Sequence, residues 1–186
     1  MKILSTLTLS FFLLTFVSCT KSSNDDSKEV AEDQNEEKFD DASLEDDSEF
    51  AVSAADAGMM EVQLATLALS NGSSAKVKEY AQMMLDDHNK ANDELKALAQ
   101  KKNISLPAAL SEKKQKKFND MSEKKGEDFD KEYCDQMVKD HKDVVDMFEK
   151  ARDNAKDPEI KAWASEKLPT LQHHLTMAEG MKKAEK

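Results

Sequence analysis

The sequence predicts an all-α protein built as a bundle of four long helices, and three observations carry that reading. Gly and Pro are scarce, four and three among 186 residues. Ala, Lys, Glu, Asp, Leu and Met are abundant, and unbranched side chains lose little rotamer freedom in a helix. Four segments also carry apolar residues at alternating spacings of four and three, which marks a helix with one buried face. Finally, the charge is unevenly spread. Residues 21–49 hold 13 acidic and 3 basic side chains, a net of −10, whereas residues 50–186 are within two charges of neutral. The acid belongs to an N-terminal tail, and no basic stripe is available to neutralise phosphates, which excludes a nucleic-acid partner.

The N-terminus reads as an address. Lys2 precedes the apolar run Ile3 to Val17 and then Ser18-Cys19, the layout of a secretory signal over residues 1–18. The run is short for a membrane span, which needs about 20 apolar residues. The segment "TFVSCT" is similar to a bacterial lipobox, with Phe16 in place of the usual Leu. The expectation is lipidation of Cys19, a membrane contact through that lipid, and a place in the cell envelope. Thr20 after the cysteine, rather than Asp, resembles the signal for passage to the outer membrane. Cys134 is then a lone thiol and the domain stands without disulfides. Residues 19–48 are polar and acidic, with too little apolar surface to offset ordering entropy, and are expected to form a disordered tether. The bundle is expected over residues 49–186.

Ser48 is a candidate N-cap for the first long helix, which should run to Asn71-Gly72 with the stripe Phe50, Ala54, Ala57, Glu61, Leu64 and Ala68. Ser73 or Ser74 opens the second, striped by Val77, Ala81, Met84, His88, Ala91, Leu95 and Leu98. A connector with Leu106-Pro107 follows, containing a short helix from Ser111 that ends at Gly126. The third long helix carries Tyr133, Met137, His141, Val144, Phe148 and Ala151. Asp157-Pro158 caps and starts the fourth, with Ile160, Ala164, Leu171, His174, Ala178 and Met181 on one face and a kink expected at Pro169.

Each stripe contains one ionisable residue: Glu61, His88, His141 and His174. All four lie within about one turn of their helix midpoints, so a bundle of similar-length helices would place them in one central layer. "QMMLDDHN" at 82–89 and "QMVKDHKD" at 136–143 bring Met84 onto Met137, Asp87 onto Asp140 and His88 onto His141. Two readings of the layer stay open. Three His and one Glu would suit one metal ion such as Zn²⁺, or copper given Met84, Met137 and Met177 one turn away. Asp87 and Asp140 are candidates to orient the imidazoles from behind. Alternatively the layer is a buried polar network that fixes bundle register. His173 falls off the stripe and should be exposed.

The segments "AGMMEVQLATLAL", "YAQMMLDDHNKANDELKALA", "FDKEYCDQMVKDHKDVVDMFEKA" and "LPTLQHHLTMAEG" resemble, in order and spacing, the bacterial family called domain of unknown function 4142. The resemblance covers about residues 48–182. It implies a ferritin-like bundle and an envelope setting, and it brings no biochemical activity. A ferritin-like bundle invites a di-iron site, which needs Glu-x-x-His on two helices. Leu85, Val138 and Leu171 stand where those glutamates would be, so di-iron chemistry is not expected. There is no Gly-rich phosphate loop, nucleophile elbow or zinc-protease motif, which points away from an enzyme. The expected function is a non-enzymatic binding or stress-related envelope module for a protein or small ligand, with a mononuclear metal protein as the alternative.

Overall fold

The structure is a computed structural model that describes residues 26–39 and 42–184. The signal segment and Cys19 lie outside these residues. Six helices follow in order: α1 (Ser27–Glu36), α2 (Ala42–Asn71), α3 (Ala75–Lys102), α4 (Glu112–Ser122), α5 (Gly126–Asn154) and α6 (Pro158–Ala184). The four long ones form the bundle. Helices α2 and α3 make one hairpin, α5 and α6 the other; α2 packs on α5 and α3 on α6.

Contacts at the two ends fix the topology. Asn71, at the end of α2, donates to the carbonyls of Ser122 and Lys124, and Asp130 near the start of α5 binds the α2–α3 turn. At the opposite end Lys102 of α3 pairs with Asp157 and Glu159 at the start of α6. Helices α3 and α5 therefore run in the same direction, and the segment 103–125 crosses the length of the bundle, as in ferritin-like folds with one long crossover.

The acidic segment expected to be a tether is corrected here. Residues 27–36 are helical, with Asp26 accepting from Lys28 N at 2.8 Å as the N-cap. Asn35, 1 % exposed, exchanges two hydrogen bonds with the backbone of Ser105, at 2.9 and 2.7 Å. Ser27 Oγ accepts from the N–H groups of Ala108 and Ala109, and Asp26 accepts from Glu112 N. Hydrogen bonds to the crossover and packing against α2 together hold α1, with Ala31 as its small buried apolar residue. An argument from apolar content could not detect that. Helix α2 likewise begins at Ala42 rather than after Ser48, whose hydroxyl bonds Glu45 O inside the helix.

Other boundaries differ in instructive ways. Ser74 is the N-cap of α3, but its side chain makes no capping bond. Asp130 of α5 replaces it, accepting from Ser73 N, Ser73 Oγ and Ser74 N, the last at 2.7 Å. Gly126 opens α5, with φ +61, instead of ending the connector helix, which stops at Ser122. Asp157 caps α6 by accepting from Glu159 N and Ile160 N, and α6 runs through Pro169 as one helix.

The core divides along the bundle axis. Towards the α2–α3 turn lie Met60, Leu64, Tyr80, Met84, Met121, Phe129, Tyr133 and Met137. Towards the other end lie Phe50, Leu95, Val145, Phe148, Ile160 and Leu168, with Trp163 against them. Between the two clusters sit the ionisable residues of the four stripes.

Candidate metal centre

Each long helix delivers one polar side chain to this boundary. Glu61 is 2 % exposed, His141 and His174 1 %, and His88 7 %. The three imidazoles touch one another, with ring centroids 5.8 Å apart for His88–His141 and 5.4 Å for the two pairs involving His174. One ligand nitrogen from each lies within 4.8 Å of the other two. His173 is exposed, as its position off the stripe requires.

Hydrogen bonds set the tautomers. His141 Nδ1 lies 3.0 Å from the carbonyl of Met137. A carbonyl only accepts, so the proton is on Nδ1 and Nε2 carries the lone pair. His174 Nε2 lies 2.9 Å from Asp87 Oδ2. Here the carboxylate accepts, so Nε2 carries the proton and Nδ1 the lone pair. Those two lone-pair nitrogens, and Nε2 of His88, are all buried without a hydrogen-bond partner. Leaving such groups unpaired costs about 1–3 kcal/mol each.

Burial also sets the protonation states. Desolvation, with mutual repulsion among the rings, holds His88 well below the usual imidazole range. His141 is pushed down to about 4, first by burial and then by His174. His174 is lowered by burial, although the Asp87 carboxylate opposes this. All three are neutral near pH 7, the form in which an imidazole binds metal. Glu61 is pushed well above the usual carboxylate range by burial and then by Asp140. Its Oε1 stands 3.9 Å from His141 Nδ1, yet a protonated Glu and a neutral His do not form an ion pair. Glu61 Oε2 and the Tyr133 hydroxyl are buried without partners as well.

The residues expected behind the imidazoles divide. Asp87 orients an imidazole, but that of His174 on the facing helix rather than its neighbour His88. One residue is about 100° around a helix, which aims Asp87 across the α3–α6 seam. Asp140 binds no imidazole; Gln136, one turn earlier, donates to both its oxygens. Met84 and Met137 are fully buried, and Met177 packs against the same cluster. Because α3 and α5 run one way and α6 the other, all three methionines lie about one turn from the imidazoles on the same side. Leu85, Val138 and Leu171 stand three residues before the three histidines, where a di-iron bundle carries glutamates on two of its helices.

Two hollows adjoin the cluster. An inner one of ≈ 40 Å³ is lined by Glu61, His88, His141 and Leu171 together with Trp163 and Lys167. An outer one of ≈ 90 Å³ lies along the α3–α6 seam, lined by Asp87, Lys90, Thr170 and His174 as well as His88 and Lys167. Each exceeds the roughly 10–15 Å³ that one water requires. Trp163 and Asn92 fall beside the main stripes, whereas Lys167 occupies the α6 stripe position between Ala164 and Leu171, where a long charged side chain gave no apolar signal. Asn92 covers Gly58, where an added Cβ would fall 2.0 Å from its Oδ1, so α2 and α3 approach closely beside Glu61.

Among solved structures, CopM in the Cu(I)-bound form superposes with a TM-score of 0.64 at 17% identity, over 74% of this chain and 96% of that one. CopM in the Cu(II)-bound form gives 0.62 at the same identity and coverage. At this identity the likeness establishes the shared helical-bundle fold. No curated protein matches the sequence. The family described as Domain of unknown function (DUF4142) matches residues 28–181, so α1 falls inside the matched region along with the whole bundle, and the chain belongs to that family.

Proposed function

We propose that this protein is an exported, lipid-anchored envelope protein whose bundle binds one transition-metal ion, copper ahead of zinc, through His88, His141 and His174. The observation that carries the metal reading is the set of three imidazoles in mutual contact, each with a buried ring nitrogen that no protein group bonds. A layer kept only to fix register should satisfy its own hydrogen bonds. This one leaves three imidazole nitrogens and a carboxyl oxygen unpaired. Imidazole suits both zinc and copper, and the thioethers of Met84, Met137 and Met177 one turn away favour the softer ion. CopM, which shares the fold, is named in Cu(I)- and Cu(II)-bound forms, and that supports the same choice. Glu61 lies outside this cluster of ligand atoms, its carboxyl standing on the Nδ1 side of His141, so the three imidazoles form the donor set. The bound ion would supply sequestration or electron-transfer capacity; the chain's own residues provide a buried, neutral, tautomer-fixed donor set.

Protein purified without an affinity tag should carry, or take up, one equivalent of copper by elemental analysis. His141→Ala should lose it. A metal content near zero after exposure to Cu(I), Cu(II) and Zn²⁺ would overturn the reading. The anchor rests on the "TFVSCT" segment. Cys19→Ala should release the protein from the membrane fraction, and unchanged membrane association would refute lipidation at that residue.

A further inference from the structure

The inner and outer hollows share His88, Ala91, Lys167 and Leu171, so together they trace a path from the surface to the imidazoles. The outer mouth lies between α3 and α6, where exposed Lys90 and Thr170 flank Asp87. Asp87 has an unusual position. Its side chain is 43% exposed, yet one oxygen bonds the Nε2–H of His174, which is 1 % exposed. A single carboxylate therefore spans from solvent to the metal-binding cluster. The other charges at the mouth are largely matched. Lys167, 14% exposed, pairs with Glu94 and Glu166, and exposed Lys90 lies one turn before Glu94. Among the described residues Asp87 pairs with no lysine or arginine; its ionisable partner is the His174 ring.

We propose that metal ions reach the cluster through the α3–α6 seam, and that Asp87 is the first protein ligand they meet, passing the ion inward while it holds His174 in the receiving tautomer. This rests on the metal-binding reading above. An anionic oxygen at the mouth raises the local cation concentration, and the Lys167 stem forms the wall past which the ion moves. Entry by this route needs side-chain motion at one seam rather than separation of the hairpins.

Trp163, the single tryptophan of the chain, lines the inner hollow and reports the arrival of Cu(II) by quenching of its fluorescence. Stopped-flow mixing of the metal-free full chain with Cu(II) ions tests the route. Thr170→Phe caps the mouth from an exposed position. It should slow uptake and release alike by about tenfold, equivalent to ~1.4 kcal/mol of added barrier, and leave Kd in place. Asp87→Asn keeps an acceptor for His174 but removes the charge. It should slow uptake by about tenfold and flatten its dependence on ionic strength. Ala91→Phe, at the junction of the two hollows, repeats the block from inside. Binding at unchanged rates in all three variants overturns the route alone. Failure of the unsubstituted protein to bind overturns the metal reading and the route with it.

Discussion

His88 keeps its Nε2 without a protein partner beside two other imidazoles, and the metal-free fold bears the cost of that arrangement. Replacing His88 with Leu removes the unpaired nitrogen at similar volume. The expected result is a metal-free protein as stable as the parent or more so, with metal binding lost. A purely structural histidine would give the reverse, a clear fall in Tm on His88→Leu. The same residues set the pH response of the metal-free form. In the native state the imidazoles are held below their usual range, His141 to about 4, so between pH 6.5 and about 4 the unfolded chain binds protons that the native chain refuses. That stability is present above pH 6.5 and falls as pH drops. Glu61 acts in the opposite sense. Its native pKa is raised, so its contribution is complete below about 4.5 and is lost as pH rises towards the native value. Each uncompensated proton changes stability by about 1.4 kcal/mol per pH unit. Urea titrations of the metal-free protein should therefore give a maximum near pH 6–7. Glu61→Gln should flatten the alkaline side and His141→Leu part of the acid side; unchanged arms would contradict these assignments.

Between elements, fastening falls to three aspartates that the sequence offered no reason to single out. Asp47, Asp56 and Asp130 are 3%, 2% and 1 % exposed. Asp47 accepts from Lys156 N and Asp157 N at the α5–α6 turn, and Asp56 takes the N–H and hydroxyl of Ser111 ahead of α4. Asp130 binds the α2–α3 turn, where Gly72 leaves room for it: a Cβ there would meet Ala68 O at 2.7 Å and Asp130 Oδ1 at 2.8 Å. Each clamp puts a carboxylate on helix-start or turn N–H groups, which are among the stronger hydrogen bonds. Asp130→Ala strands two backbone donors and a hydroxyl. It should cost about 3 kcal/mol, seen as a Tm lower by about 6–12 °C in a domain of this size. A shift under about 2 °C would mean that water replaces the carboxylate. Periodicity made the long helices legible because burial of a stripe repeats along the chain. Asp130 and Asp47 sit among many acidic neighbours, and nothing local distinguishes a clamp from a solvated charge. Asn35 hid α1 in the same way, since its partner Ser105 is 70 residues away.

At the scale of the whole molecule, the single crossover makes α3 and α5 parallel, and that places the central layer. The four stripe residues could be assigned to one level from helix midpoints alone, because midpoints are indifferent to helix direction. The partners of that level could not. Asp87 reaching His174 depends on which helix lies beside α3, and the common side of Met84, Met137 and Met177 depends on direction. Both require the three-dimensional path of residues 103–125. That path also sorts sulfur to one end: eight of the nine methionines among the described residues belong to or pack against the core at the α2–α3 turn, and Met147 alone lies at the other. Peroxide converts reachable thioethers to sulfoxides. Met59 and Met83 are partly buried, whereas Met84, Met121 and Met137 are fully enclosed. The enclosed three can oxidise only when the bundle opens, so their sulfoxides, followed by mass spectrometry, should lag the others and accumulate at the opening rate. One end of the bundle thus keeps a chemical record of how often the molecule comes apart, and a bound metal should slow the writing of it.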